Sequence, residues 1–206
     1  MKNASILTVC LISAVFLFGS LRLTFYESTG KTMRVASVLN FYSVKGDYTI
    51  DEVKSKFTDD NFKVELDGMA SDVAEAKKAN AEVAMWQEDC FPIKEKNFDA
   101  LIAQGQKLAK QYNIALIIPM EVSRENQLVL NQLAMINNDG NLDYIYQKAN
   151  LVPFVETTKY VQGTNDIYCT EVNGVNVSSC ICFDAINPNF VQKALDKSTD
   201  VLLVPA

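Results

Sequence analysis

Histidine is absent from all 206 residues. That absence removes Ser-His-Asp and Cys-His catalysis, an imidazole proton shuttle and most transition-metal sites. Any chemistry has to run on Cys, Lys, Asp, Glu or Tyr. Basic residues are in deficit too: 19 Lys and Arg against 25 Asp and Glu leave a net charge of -6, and the cations are scattered. No basic stripe exists for a phosphate backbone, so nucleic acid is excluded as a partner. The five cysteines, Cys10, Cys90, Cys169, Cys180 and Cys182, lack paired ligand spacing, because Cys180-x-Cys182 has no second pair. Neither a metal nor a cofactor is expected. Gly and Pro stand at ordinary levels (8 and 5) and 49% of residues are hydrophobic, which excludes disorder and permits one substantial core.

What is present begins with a run free of charge. From Ala4 to Leu21 the chain reads ASILTVCLISAVFLFGSL, between Lys2 and Arg22. A spanning helix needs about 20 such residues. A cleaved signal peptide is the competing reading, but its apolar core is shorter, at about 7–15 residues, and ends in small residues, whereas Arg22 follows directly here. Residues 1–23 are therefore expected to be a single-pass membrane anchor, 24–32 a linker and 33–206 the folded domain. Positive charge flanks both ends of the run, so the charge rule leaves the orientation open.

Within the domain, Met33 to Phe41 alternates as a strand does, and Met69 to Ala79 is a strong helix former with Ser71 as a candidate cap. Ala81 to Trp86 reads as the next strand. Asn97 to Tyr112 puts Phe98, Leu101, Ile102, Leu108 and Ala109 on one helical face, leading into IALIIPMEV, an apolar run of the kind buried on both sides. Two hairpins follow, marked by Asn137-Asn138-Asp139-Gly140 and by Asn173-Gly174. A helix over Asn189 to Lys197 and a strand over Val201 to Val204 close the chain. The pattern is α/β: a mixed sheet with helices packed on it, or two such sheets face to face.

Three polar residues stand where strands end: Glu88 after AEVAMWQ, Lys148 after LDYIYQ, and Cys182 after VNVSSCI. Separately, each has a plain explanation as a solvated turn, a surface charge or a core thiol. Together they suit one task. Attack by a thiol on an amide or ester carbonyl needs a base for the thiol proton and a cation for the oxyanion. Without His, a carboxylate must be that base. A neighbouring Lys148 is expected to favour the Cys182 thiolate.

The segments VAMWQEDCFP, DYIYQKANLVPFVE and SSCICFDAINP resemble, in order and separation, the three signature blocks of the carbon-nitrogen hydrolase (nitrilase) superfamily. In that family the blocks carry the catalytic Glu, Lys and Cys, which the resemblance maps to Glu88, Lys148 and Cys182. It also implies supporting or substrate-binding roles for Glu156, a second pocket glutamate, and for Phe183 and Asp184. The run K-x-x-L-V-P-F-x-E is most similar to the apolipoprotein N-acyltransferase branch. That branch implies acyl transfer through a thioester on Cys182, from a phospholipid to the amino terminus of a lipoprotein, on the outer face of a bacterial plasma membrane. Membrane lipid is then an expected partner. An amidase or nitrilase-type hydrolase tethered to a membrane is the alternative, and a binding-only domain the third reading. The family fold implied is the α-β-β-α sandwich, expected to be incomplete here because the family continues beyond a segment like DVLLVPA; a partner chain completing the domain is the corresponding expectation. Gln87 and Val155 replace the Pro and Gly often found in that branch.

Overall fold

A computed structural model of the chain describes residues 2–25, 30–39, 59–125 and 127–206. The chain divides into two compact units, Met1–Thr32 and Met33–Ala206. The first holds helix α1 (Lys2–Phe25), whose Ser5–Phe25 stretch has a mean hydropathy of 2.2 and no buried residue. It is long and apolar enough to cross a membrane, and a signal sequence has the same character. Thr24 and Phe25, expected in the linker, continue this helix. Residues 26–29 of that linker lie outside the described residues.

The second unit is built on a six-stranded sheet. Strands β1 (Val35–Val38), β2 (Val83–Trp86), β4 (Ala115–Ser123), β5 (Leu130–Ile136) and β6 (Leu142–Gln147) lie in that order. β1, β2 and β4 run parallel, while β5 and β6 are antiparallel additions. A short β3 (Phe91–Lys94) continues along the same edge of β4 beyond β2. A second sheet has the order β7 (Cys169–Val172), β8 (Val175–Ser179) and β9 (Val201–Leu203).

Alternation along the strands makes two cores. Leu116, Ile118, Met120, Ala134 and Ile136 face helices α2 (Asp59–Lys78) and α3 (Phe98–Tyr112). Ala115, Ile117, Leu133, Met135, Tyr144 and Tyr146 face the opposite way, onto Val172, Val175 and Val177 of the second sheet and Phe190 of helix α4 (Pro188–Asp196). The two sheets therefore lie face to face, with α2 and α3 outside the larger one. β4 is buried at eight of its nine positions because it has a core on either side. α3 approaches that strand closely at Gly105, where a Cβ would come within 2.7 Å of Ile118 and Ile136 side-chain carbons. α2 is fixed to the sheet by a hydrogen bond that the Trp86 indole N–H donates to Asp72 at 2.9 Å.

Several expected boundaries move. The helix expected over Met69 to Ala79 starts at Asp59, so Ser71 lies inside it and caps nothing. Val35–Val38 is the described part of the strand expected over Met33 to Phe41, whose last two residues lie outside the described set. The strand through Ile181 stops at Ser179, and Cys182–Ile186 form a 3-10 turn instead. That turn matters below.

Candidate active site

Parity places the polar groups. On β4 and β5 the register pairs Glu121 with Asn131, and both share the inter-sheet face with Ile117 and Leu133. Lys148, just past β6, has the same parity as Tyr144 and Tyr146, and its backbone N–H donates to the Asn131 carbonyl at 2.9 Å. Glu88 follows β2, which is parallel to β4. The ends of these strands thus meet at one edge of the sheet, where α/β folds build their sites.

Glu88, Lys148 and Cys182 come together there. The Lys148 side chain is fully buried, and its ammonium donates to Glu88 Oε1 at 2.8 Å and to Glu156 Oε1 at 2.7 Å. Burial alone would lower its pKa, but the two carboxylates outweigh that and hold it above the ordinary lysine value. Asn131 Nδ2 donates to the same Glu88 oxygen at 2.8 Å. Glu156 is fixed in turn by the Val152 N–H, which donates to its Oε2 at 2.8 Å.

Cys182 sits at the start of the 3-10 turn with φ 43, a left-handed conformation that costs a residue with a Cβ about 1–2 kcal/mol. The conformation sets the thiol at the start of the turn, where Glu88 and Lys148 both act on it electrostatically. Burial, together with the Glu88 carboxylate, pushes the Cys182 pKa up to about 11, with Lys148 offsetting only part of the rise. Lys148 does favour the thiolate, as expected, but burial and then the Glu88 carboxylate outweigh it, so at neutral pH Cys182 is a thiol. Cys180, buried two residues earlier, is pushed up to about 12 chiefly by desolvation.

Asp184 is buried and accepts five hydrogen bonds. Its Oδ2 takes the Tyr146 hydroxyl at 2.7 Å and the Ile181 N–H at 3.1 Å. Its Oδ1 takes the Ala149 and Asn150 N–H groups, at 3.2 and 2.6 Å, and Asn150 Nδ2 at 3.0 Å. It thereby ties the segment after Lys148 to the turn that carries Cys182. Phe183 is half-buried on the same turn, and none of the described residues accepts a hydrogen bond from its backbone N–H. The Cys182 N–H is occupied, donating to the Pro205 carbonyl at 2.8 Å.

Sequence reasoning missed Asn131 and a second buried cluster beside Glu88, formed by Asp89, Glu121, Lys159 and Tyr160. Asn131 could have been found from the run LNQLAMI, where a polar residue interrupts an apolar strand face. Nothing local marks the cluster, whose members are up to 71 residues apart.

The sequence profile of the carbon-nitrogen hydrolase family matches residues 61–206. A 2-oxoglutaramate amidase of Bacillus subtilis is 26% identical over 101 residues, 49% of this chain and 39% of the amidase. Among solved structures, a glutamate-to-glutamine mutant of the amidase from Nesterenkonia sp. AN1 superposes with a TM-score of 0.61. It is 18% identical over 69% of this chain and 60% of that one, and it shows the product of Michael addition of acrylamide at its active-site cysteine. A carbon-nitrogen hydrolase from Helicobacter pylori G27 superposes with a TM-score of 0.60 at 17% identity, over 69% of this chain and 54% of that one. The chain thus spans 39% of the curated relative and 60% of the Nesterenkonia chain.

Proposed function

Because the chain belongs to the carbon-nitrogen hydrolase family, we propose that it hydrolyses amide C–N bonds through a thioester on Cys182, with Glu88 as general base and Lys148 as the oxyanion cation. The observation that carries this reading is Glu88 itself. One carboxylate accepts the Lys148 ammonium and the Asn131 amide and acts on the Cys182 thiol, so base, nucleophile and cation meet at one group.

In this mechanism Sγ of Cys182 attacks the amide carbonyl carbon as its proton moves to Glu88. The oxyanion would be met by the remaining Lys148 N–H and by the Phe183 backbone N–H, which donates to none of the described residues. Glu88 then passes the proton to the departing nitrogen, and the C–N bond breaks to leave a thioester and an amine or ammonia. Water, deprotonated by Glu88, attacks the thioester and releases the carboxylic acid and the Cys182 thiol. Glu156 holds Lys148 in place throughout, and Asp184 fixes the turn that aims the sulfur.

The amidase relatives put hydrolysis ahead of the acyl transfer that the sequence resemblance favours. Transfer to an amine stays as a second reading on two observations. Phe154 and Val155, immediately before Glu156, are 97% and 67% exposed, an apolar tip suited to an acyl chain. Helix α1 would act as the tether holding such an enzyme at a bilayer rather than as a removable signal sequence. Incubating the full chain in detergent with short aliphatic amides, amino-acid amides or a phospholipid tests both readings by intact mass. Ammonia release with an acyl adduct lost in Cys182→Ala supports hydrolysis. An adduct of lipid mass passing to an added amine supports transfer, and a folded protein giving no adduct with any donor refutes both.

A further inference from the structure

Behind Glu88 lies a buried cluster that the proposed mechanism does not use. Asp89 continues the turn after β2 with φ 59. Its Oδ2 faces the Tyr160 hydroxyl at 3.2 Å, while its Oδ1 is buried and accepts no hydrogen bond from the described residues. The same Tyr160 hydroxyl meets Glu121 Oε1, and Lys159 bonds both Glu121, at 2.6 Å, and the Tyr160 oxygen. Glu121 and Tyr160 are 2% and 3% exposed.

The protons do not suffice for two carboxylates. Tyr160 has one hydroxyl proton, and Glu121, ion-paired to Lys159, is its close acceptor. The arrangement closes when Asp89 keeps its own proton and donates it to the Tyr160 oxygen. The groups acting on Asp89 agree: Glu121 from β4 and Glu88 on its own turn favour its protonated form, and the cation Lys159 is paired with Glu121. Burial first, then these two carboxylates, push the Asp89 pKa up to about 8.

We propose that Asp89 is a positioning residue for the general base: a half-buried acid with one buried oxygen, proton-linked through Tyr160 to the Glu121–Lys159 pair, whose ionisation drives the Cys182 proton onto Glu88. Asp89 adjoins Glu88 in the chain, one residue from the carboxylate with which it interacts, whereas Cys182 lies on a separate turn. A negative charge there therefore opposes charge on Glu88 more than on the sulfur. The transfer S–H plus carboxylate to thiolate plus carboxylic acid becomes easier, with the proton conserved between the two. This rests on the reading of Glu88 as the base for Cys182.

The test uses the full chain and acrylamide, following by intact mass the alkylation that Cys182→Ser lacks, from pH 6 to pH 10. In the unmodified chain the rate should show an inflection near pH 8. It should rise about tenfold more between pH 7 and 9 than in Asp89→Asn, the effect of roughly one unit of proton affinity. Asn is the replacement best suited to φ 59, so that variant should fold. Tyr160→Phe, which takes away the hydroxyl shared by Asp89 and Glu121, should move the inflection. A purely structural role would lower the rate without moving it. An Asp89→Asn profile that superimposes on the unmodified one, or keeps its inflection at a reduced rate, overturns the proposal. Should no amide ever give an acyl adduct while the inflection still follows Asp89, the hydrolase reading falls and this one stands.

Discussion

Replacing Asp184 with Asn should cost more than its near-identical shape suggests. The carboxylate meets five donors and no acceptor. The new amide would keep its oxygen towards Ala149 and the two Asn150 donors, and so place its NH2 where Oδ2 stood. There the Tyr146 hydroxyl can turn and accept, but the Ile181 N–H is left facing another N–H, in a position without solvent. One unsatisfied buried donor costs about 1–3 kcal/mol, and converting the remaining charge-assisted bonds to neutral ones adds about 1 kcal/mol. A loss of about 3 kcal/mol in a chain of this size lowers the melting temperature by about 6–12 °C. Thermal denaturation followed by circular dichroism measures it, and Asp184→Ala, which abandons all five donors, should fall further. The same variants should alkylate Cys182 more slowly, because Asp184 holds the turn that aims it. A melting temperature for Asp184→Asn within a degree or two of the unmodified chain would refute the count of donors on which this rests.

Lys148→Met should remove the acyl adduct and destabilise by about 3–5 kcal/mol, since Glu88 and Glu156 then face each other without their shared cation; denaturant melts of this variant and of Lys148→Met with Glu156→Gln should show the second change recovering part of the loss. Cys182→Gly should abolish the adduct yet raise stability by about 1 kcal/mol, because glycine adopts φ 43 without strain, and a melt at fixed pH reads this directly. Asp89, with its folded pKa raised from 3.8 to about 8, contributes stability that is complete below pH 4 and lost as pH rises through 8. Melting temperatures across that window should therefore fall for the unmodified chain relative to Asp89→Asn, and parallel curves would contradict it.

How much of this was legible in the chain depends on how local each signal is. The buried run of β4, the amphipathic face of α3 and the Asn-Gly type turns are properties of neighbouring residues, and they appear where the pattern puts them. β3 escaped because Pro92 sits inside FPIK, and proline argues against a strand unless the strand lies along an edge. α2 starts ten residues early because Gly68 and a polar first turn weaken its propensity, while packing of Phe62 and Leu66 on the sheet overrides it. Glu88, Lys148 and Cys182 were legible because each closes a strand that could be read. Asp89, Glu121, Lys159 and Tyr160 were not, because only the parallel pairing of β3 with β4 and the bridge from Val129 to Tyr160 bring them together.

The raised pKa of Cys182 bears on how such a site works. At about 11 the thiolate fraction near pH 7 is on the order of one in ten thousand, so stored thiolate cannot be what the site supplies. What it would supply, on the proposed reading, is a proton acceptor beside the sulfur and a cation already bonded to that acceptor. In the proposed mechanism the negative charge starts on Glu88 and passes to the oxyanion as Glu88 takes the proton. Lys148 bonds Glu88 directly, and its second carboxylate, Glu156, would keep it charged and oriented while the first is neutralised. The burial that penalises a free thiolate is then an advantage, because it strengthens the contacts that follow the charge from one atom to the next.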